Sequence, residues 1–172
     1  MPFEKTALFI DGENLYYTAK ALDFDIDFKR LLTEFQTRGY LIRSYYYTVV
    51  SADAERQVAR PLIDWLDSNG FTVVTKPIKT FDDGEGRRKT KRNIAIELVV
   101  DALEISKRID HMFLFSGDGD YRPLVEAAQR KGVSVTVVST MRTRPAMIAD
   151  ELRRQANAFL ELNDLKALIG RL

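Results

Sequence analysis

Two short apolar runs in this 172-residue chain end in the same way. Thr6-Ala7-Leu8-Phe9-Ile10 runs into Asp11-Gly12, and the run His111 to Phe115 leads into Ser116-Gly117-Asp118-Gly119-Asp120. An apolar run of about 4–8 residues stopped by a turn signal reads as a strand buried on both faces. Such strands belong to parallel sheets covered by helices on either side, so these two runs narrow the fold more than any other feature.

Strand and helix patterns alternate along the rest of the chain. Helices are expected over Leu15–Ala21 and from Asp27, which can cap the next one, to Arg38, where Gly39 stops it. Leu41–Val50 and Phe71–Thr75 read as the second and third strands. Between them, Val58, Leu62, Trp65 and Leu66 have helical spacing within Asp53–Ser68. The polar, glycine-containing stretch Phe81–Lys91 reads as an exposed loop, and Asn93 as the cap of a helix to about Arg108. After the fourth strand, a helix from Tyr121 to Lys131 stops at Gly132, with Pro123 in its first turn, and Val133–Val138 is the fifth strand. A loop from Met141 to Pro145 precedes a C-terminal helical segment, 146–172. The expectation is one domain over residues 1–172, a doubly wound, mainly parallel five-stranded α/β sheet in order 3-2-1-4-5, a Rossmann-like three-layer sandwich. In that order strands one and four are neighbours where the order reverses, and ligands bind in the crevice there.

Composition removes several chemistries. The chain has no cysteine and one histidine, so disulfides and thiolate metal sites are excluded. No apolar run reaches the roughly 20 residues of a membrane span, and the N-terminus runs straight into a strand pattern, so a soluble cytoplasmic protein without a membrane partner is expected. The net charge of +1 is uninformative, but Arg87, Arg88, Lys89, Lys91 and Arg92 crowd together just before the Asn93 helix. Phosphate contacts need such donors, and Arg142 and Arg144 lie after strand five at the same end of the sheet.

Asp118 and Asp120 can be read as ordinary turn and cap residues. Paired with the acidic end of strand one, they can also point with Asp11 into one crevice. Carboxylates a few ångströms apart repel unless protonated or bound to a cation. A hard divalent ion resolves that conflict, and with this composition Mg²⁺ or Mn²⁺ is expected rather than zinc. Asn14 either caps the following helix or holds substrate or water at the ion. Tyr45, Tyr46 and Tyr47 read as strand packing, whereas Tyr16, Tyr17 and Tyr121 flank the crevice as candidates for stacking on bases. His111 starts a strand far from its carboxyl end and is given no catalytic role. The apolar positions Phe159, Leu160, Leu162, Leu165, Leu168 and Ile169 either pack on the chain's own sheet or form a homodimer contact.

Phe9-Ile-Asp-Gly-Glu-Asn-Leu15, Ile96-Glu-Leu-Val-Val-Asp-Ala102 and Leu114-Phe-Ser-Gly-Asp-Gly-Asp-Tyr121 together resemble the NYN domain, in its bacterial LabA-like branch. The resemblance covers nearly the whole chain. It implies a PIN-like fold and a metal-dependent ribonuclease, with RNA as partner. It also carries family roles onto Asp11, Asp118 and Asp120 as acidic residues, Asn14 as the motif asparagine and Ser116 as the small polar residue ending strand four. One segment departs from the family. Lys91-Arg-Asn-Ile-Ala-Ile-Glu-Leu98 has Ala95 where the family has an acid and Arg92 where it has glycine. Glu97 lies about 200° around the helix from position 95, but Asn93, Glu97 and Asp101 share one helical stripe. A shifted ligand set using Glu97 or Asp101 is therefore open, as is entry of Arg92 into the crevice in place of a metal. Three functions follow. The first is a PIN-type endoribonuclease acting through metal-activated water on RNA held by Ser116, Lys89, Lys91, Arg92, Arg142 and Arg144. The second is an RNA-binding or regulatory module impaired at Ala95. The third is a receiver-type phosphoacceptor, against which stands the lack of a lysine among Ser139, Thr140 and Met141.

Overall fold

The computed structural model describes residues 4–51, 60–82, 84–86, 88–91 and 93–172, with backbone alone for 79–82 and 88–91. Strand β1 (Lys5–Asp11) leads into helix α1 (Gly12–Ala21), followed by α2 (Phe28–Gln36) and β2 (Tyr40–Val50). Then come α3 (Arg60–Ser68), β3 (Thr72–Pro77), the short strands β4 (Lys79–Asp82) and β5 (Arg88–Lys91), and α4 (Ala95–Ile105). The chain continues through β6 (His111–Phe115), α5 (Arg122–Arg130), β7 (Ser134–Ser139), α6 (Asp150–Gln155), β8 (Ala158–Glu161) and α7 (Lys166–Ile169).

The sheet order is β3-β2-β1-β6-β7-β8, with every neighbouring pair parallel. The expected order of the first five strands is therefore present, with β6 and β7 as the fourth and fifth. Because successive residues of a strand face opposite ways, β1 serves two cores. Ala7 and Phe9 pack with Leu98 and Ala102 of α4, Val125 of α5 and Leu152 of α6. Leu8 and Ile10 pack on the other face with Leu15 of α1, Leu31 and Phe35 of α2 and Ile169 of α7. Asp27 caps α2 as expected, its Oδ1 accepting from the Lys29 and Arg30 amides at 3.0 and 3.1 Å. No helix among the described residues is long and apolar enough to cross a membrane.

Three local expectations are corrected. The C-terminal segment is not purely helical: Ala158–Glu161 forms a sixth parallel strand on β7, making the sheet six-stranded rather than five. Four residues are too few to show an alternation, and the partner strand supplies the order. Phe81–Lys91 is not a simple loop, since β4 and β5 form an antiparallel hairpin that pairs Lys79 with Lys91 and Phe81 with Lys89. Its turn contains Gly84 and Gly86 at φ +82° and +76°, conformations that glycine adopts without penalty. The helix that Asn93 was expected to cap starts one residue later than that places it, with Ile94 at the cap position, because the Asn93 side chain accepts from the Ala95 amide at 2.8 Å and so forms the turn that precedes α4. The helix expected over Asp53–Ser68 is present from Arg60 onward; its first part, like Arg87 and Arg92, lies outside the described residues. Of the six C-terminal apolar positions singled out, Leu162, Leu165 and Ile169 are buried against the α1–α2 face, Phe159 and Leu160 are half-buried, and Leu168 is largely exposed.

Candidate functional site: an acidic crevice at the strand-order reversal

β1 and β6 pair in parallel from Thr6–His111 to Ile10–Phe115, so their carboxyl ends release Asp11 and the Ser116–Asp120 turn side by side. Between them opens a cavity of about 510 Å³, lined among others by Asp11, Asn14, Tyr17, Asn93, Ala95 and Asp118.

Asp11 is both the last residue of β1 and the cap of α1. Its Oδ1 accepts from the Asn14 amide at 3.4 Å. Its Oδ2 accepts from the Tyr121 hydroxyl at 3.2 Å and from the Ser116 hydroxyl at 3.5 Å. Burial pushes the Asp11 carboxyl above its ordinary pKa, and the charges of Asp118 and Glu13 add to that push. The hydrogen bonds from Asn14 and Tyr121 oppose it without cancelling it. Tyr121 is only 1% exposed. Burial raises its hydroxyl pKa, and the charges of Asp11, Asp118 and Asp120 raise it further, so at neutral pH it is a fixed proton donor to Asp11. Burial and Asp11 likewise push Tyr46 up to about 12.

The opposite wall is tied to α1 through Asn14, whose Oδ1 accepts from the Gly117 amide at 3.1 Å. Ser116 Oγ accepts from the Asp118 amide at 3.2 Å, and Asp118 Oδ1 accepts from the Asp120 amide at 2.9 Å. Gly117 is required by close approach: a Cβ there would stand 2.0 Å from the Met147 carbonyl oxygen. Asp11 and Asp118 thus face one space on a braced frame, with Asn14 and Ser116 as the bracing.

Other expected site residues stand elsewhere. Asp120 is exposed beside the crevice and outside its lining. Among the described residues no three of Asp, Glu and His come close enough together to hold a metal ion between them. Helix α4 offers no replacement ligand. Glu97 pairs with Lys76 of β3 at 2.8 Å, and Asp101 accepts from the Tyr47 hydroxyl at 2.8 Å. Neither lines the crevice, so the shifted ligand set is not formed. Arg142 pairs with Asp164 at 2.7 Å, and neither it nor Arg144 reaches the lining. Lys89 and Lys91 lie on β5, whose side chains, like all of Arg92, fall outside what is described. Tyr121 is too buried to offer a ring face to a base, which corrects its reading as a stacking residue, while Tyr16 and Tyr17 are exposed as expected. Tyr46 and Tyr47 are core residues, and Tyr45 stacks on Phe9 at 5.1 Å between centroids. His111 sits at the far end of β6 against Thr136 and Glu4. Glu13 and Met147 line the crevice without having been singled out. Glu13, inside the Asp11–Asn14 motif, carried a signal in the sequence; Met147 arrives only through the loop after β7.

The donor set suits a hard cation. Asp11, Glu13 and Asp118 are the carboxylates on the lining, Asp11 and Asp118 at the two strand ends, and Mg²⁺ in particular is commonly held by one or two carboxylates with water and phosphate completing its shell. The buried Asp11 carboxylate, raised further by the charge of Asp118, gains most from such an ion.

Comparison with known proteins agrees with this geometry. The family model for the NYN domain matches residues 5–163. The chain is 37% identical over 169 residues to the "Low amplitude and bright protein LabA" of Synechococcus elongatus, covering 96% of this chain and 87% of that protein. Its fold is similar to the crystal structure of a protein of unknown function, VPA0982, from Vibrio parahaemolyticus, with a TM-score of 0.78, 26% identity and coverage of 98% and 97% of the two chains. With a family model matching residues 5–163 and a relative 37% identical over 96% of this chain, the chain belongs to the NYN domain family.

Proposed function

We propose that the crevice is a ribonuclease site, in which Asp11 and Asp118 hold a Mg²⁺ or Mn²⁺ ion and a phosphodiester of RNA is hydrolysed. The observation that carries this reading is the pairing of the desolvated Asp11 with Asp118 at the reversal of strand order. Bound there, a divalent ion would lower the pKa of water and offset the charge that builds on the phosphate. The chain's own residues do the positioning. Tyr121 and Ser116 each donate to Asp11 Oδ2, which fixes the orientation of that carboxylate. Asn14 clamps the Gly117 amide, so the two acidic turns keep their spacing. The basic stretch Arg88–Lys91 leads directly to the crevice wall at Asn93, where cations suit the phosphate backbone. Asp120, at the rim, is left outside the ligand pair. Arg142, already paired with Asp164, is not given a substrate role.

The test is incubation of the purified chain with Mn²⁺ and RNA, both single-stranded and structured. Cleavage is expected, abolished by EDTA and reduced at least about 100-fold by Asp118→Asn. RNA left intact by both proteins would end this reading.

A second reading is favoured by one observation: Ala95 occupies the crevice wall where the resemblance calls for an acid. The chain would then bind RNA through the same crevice and hairpin without cutting it. Binding that weakens steeply with salt, without cleavage at any Mn²⁺ concentration, is its signature.

A further inference from the structure

A second cavity, of about 430 Å³, lies across α1 from the crevice. The two cavities divide the surface of one helix. Glu13, Asn14 and Tyr17 line the crevice, while Gly12, Tyr16 and Lys20 line the second cavity. Tyr16 and Tyr17 mark the ridge between them, 55% and 53% exposed, with their rings edge to face at 5.3 Å. Beyond Tyr16 the wall is aromatic, formed by Phe24, Phe28 and Tyr46, with the last two edge to face at 5.5 Å. Two cations border it. Lys20 lies over the Tyr16 ring at 5.6 Å, and Arg171 is held in place by its backbone bond to Asp25. Neither forms an ion pair among the described residues. Asp25, on the same lining, adds an acceptor.

Aromatic walls beside cations with no ion-pair partner among the described residues suit a planar ring carrying a phosphate: bases stack on the rings and the cations meet the backbone. Tyr17 lines the crevice and Tyr16 the second cavity, so the tyrosine pair stands between the two. That crossing is about one helix diameter, 10–12 Å with side chains, a span suited to nearby nucleotides of one strand. We propose that this cavity is a nucleobase subsite. It would take a base of the same single strand whose phosphate sits at Asp11 and Asp118, and Tyr16 and Tyr17 would be the stacking residues that carry the strand over α1. This rests on RNA binding at the crevice and adds which strand geometry is selected. A base must leave its partner to enter the cavity, so paired RNA loses these contacts.

The experiment measures binding of a fluorescein-labelled single-stranded RNA octamer to the full chain in EDTA, and to Tyr16→Ala, Tyr17→Ala and Lys20→Ala. All three side chains are exposed, so their loss leaves the core intact, and a thermal melt verifies that. Each tyrosine variant is expected to weaken binding about tenfold. A duplex of the same sequence should bind the wild type more weakly and be insensitive to Tyr16→Ala. An octamer carrying 5-iodouridine should crosslink to Tyr16 or Phe24. Binding unchanged in Tyr16→Ala and Lys20→Ala, or a crosslink confined to other surfaces, overturns the subsite. So does adenosine monophosphate displacing no RNA while protecting Phe24 and Arg171 by itself, which would mark a free-nucleotide site. In those cases cleavage by the wild type but not by Asp118→Asn still upholds the crevice reading. Absence of any RNA binding to the wild type, both in EDTA and in Mn²⁺ with a 2′-O-methyl octamer that resists cleavage, removes that reading and the subsite with it.

Discussion

Asp11 carries two roles that oppose each other energetically. As the cap of α1 it accepts from the Asn14 amide and from two hydroxyls, and as a crevice carboxylate it is desolvated beside Asp118 and Glu13. Desolvation wins, so its folded-state pKa lies above the unfolded value. The sign follows from linkage. A group whose pKa is raised by folding contributes stability below its unfolded pKa, and that contribution is lost as pH rises through the folded pKa. At neutral pH the ionised Asp11 is therefore a cost to the fold. Asp11→Asn, which keeps an acceptor for the Asn14 amide, should raise the melting temperature at pH 7 by roughly 2–4 °C, about 1 kcal/mol, while abolishing metal-dependent activity. The gain should shrink in melts run at pH 3.5, where Asp11 takes up its proton; a gain that does not depend on pH would remove the electrostatic cause. Asp11, Asn14 and Asp118 were legible in the sequence because a buried strand ending in an acid and a glycine leaves little freedom for where that acid points. Asp120 was less so. It lies two positions beyond Asp118 within a 3₁₀ turn, Gly119–Tyr121. At three residues per turn, such a step sends a side chain roughly 240° around the axis. Glycine spacing does not report that rotation.

Helix α4 shows the same limit one level up. Its acids were read as a stripe at i, i+4 spacing, and the spacing was right, but each meets a partner that no local pattern announces. Lys76 comes from β3 and Tyr47 from β2, so Glu97 and Asp101 fasten the helix to the sheet instead of reaching the crevice. What this part of the chain presents to the crevice is the turn before α4, Asn93 and Ile94, and the helix's first residue, Ala95. The hairpin before it was hidden for a different reason: lysine, arginine and glycine are weak strand formers, and only the cross-strand backbone pairing of β4 with β5 makes strands of them. Ala95 is the element's decisive position. A carboxylate there would sit in the first turn of a helix, where the dipole favours negative charge. Ala95→Asp should accordingly fold, bring a third carboxylate to the Asp11–Asp118 pair and tighten Mn²⁺ binding by about tenfold or more. Calorimetric titration measures this directly. Thermal shift offers a second readout, since a ligand that binds only the folded state stabilises it in proportion to the logarithm of concentration over Kd. Equal Mn²⁺ affinity in the two proteins would mean that position 95 does not address the ion.

The whole molecule depends on its last 27 residues more than their sequence suggests. Read locally, 146–172 is a helical appendix whose apolar residues face either the sheet or another copy. In the fold, β8 completes the sheet in register with β7, from Thr136–Ala158 to Ser139–Glu161. The chain then returns beneath the α1–α2 face, where the Ile169 carbonyl accepts from the Asp27 amide and the Arg171 amide donates to the Asp25 carbonyl. Leu162, Leu165 and Ile169 are buried there with Leu8, Ile10 and Phe35. Burying each such side chain stabilises by about 1.5–3 kcal/mol, so the three together approach the 5–15 kcal/mol that holds a typical domain folded. A chain ending at Gln155 would lose that contribution and also expose the β7 edge and the outer face of the Phe115–Val138 layer. It should show no cooperative melt and bind hydrophobic dye. Leu165→Ala is the graded version: a drop of about 2–5 kcal/mol, seen as a lower urea midpoint with an unchanged slope. The unchanged slope matters, because it reports that the same surface is exposed on unfolding and that the C-terminal return still folds with the sheet as one unit. If the truncated chain instead melted cooperatively near the wild-type temperature, the segment would be an appendix after all, and the second cavity, which has Arg171 on its border, would lose its fixed wall.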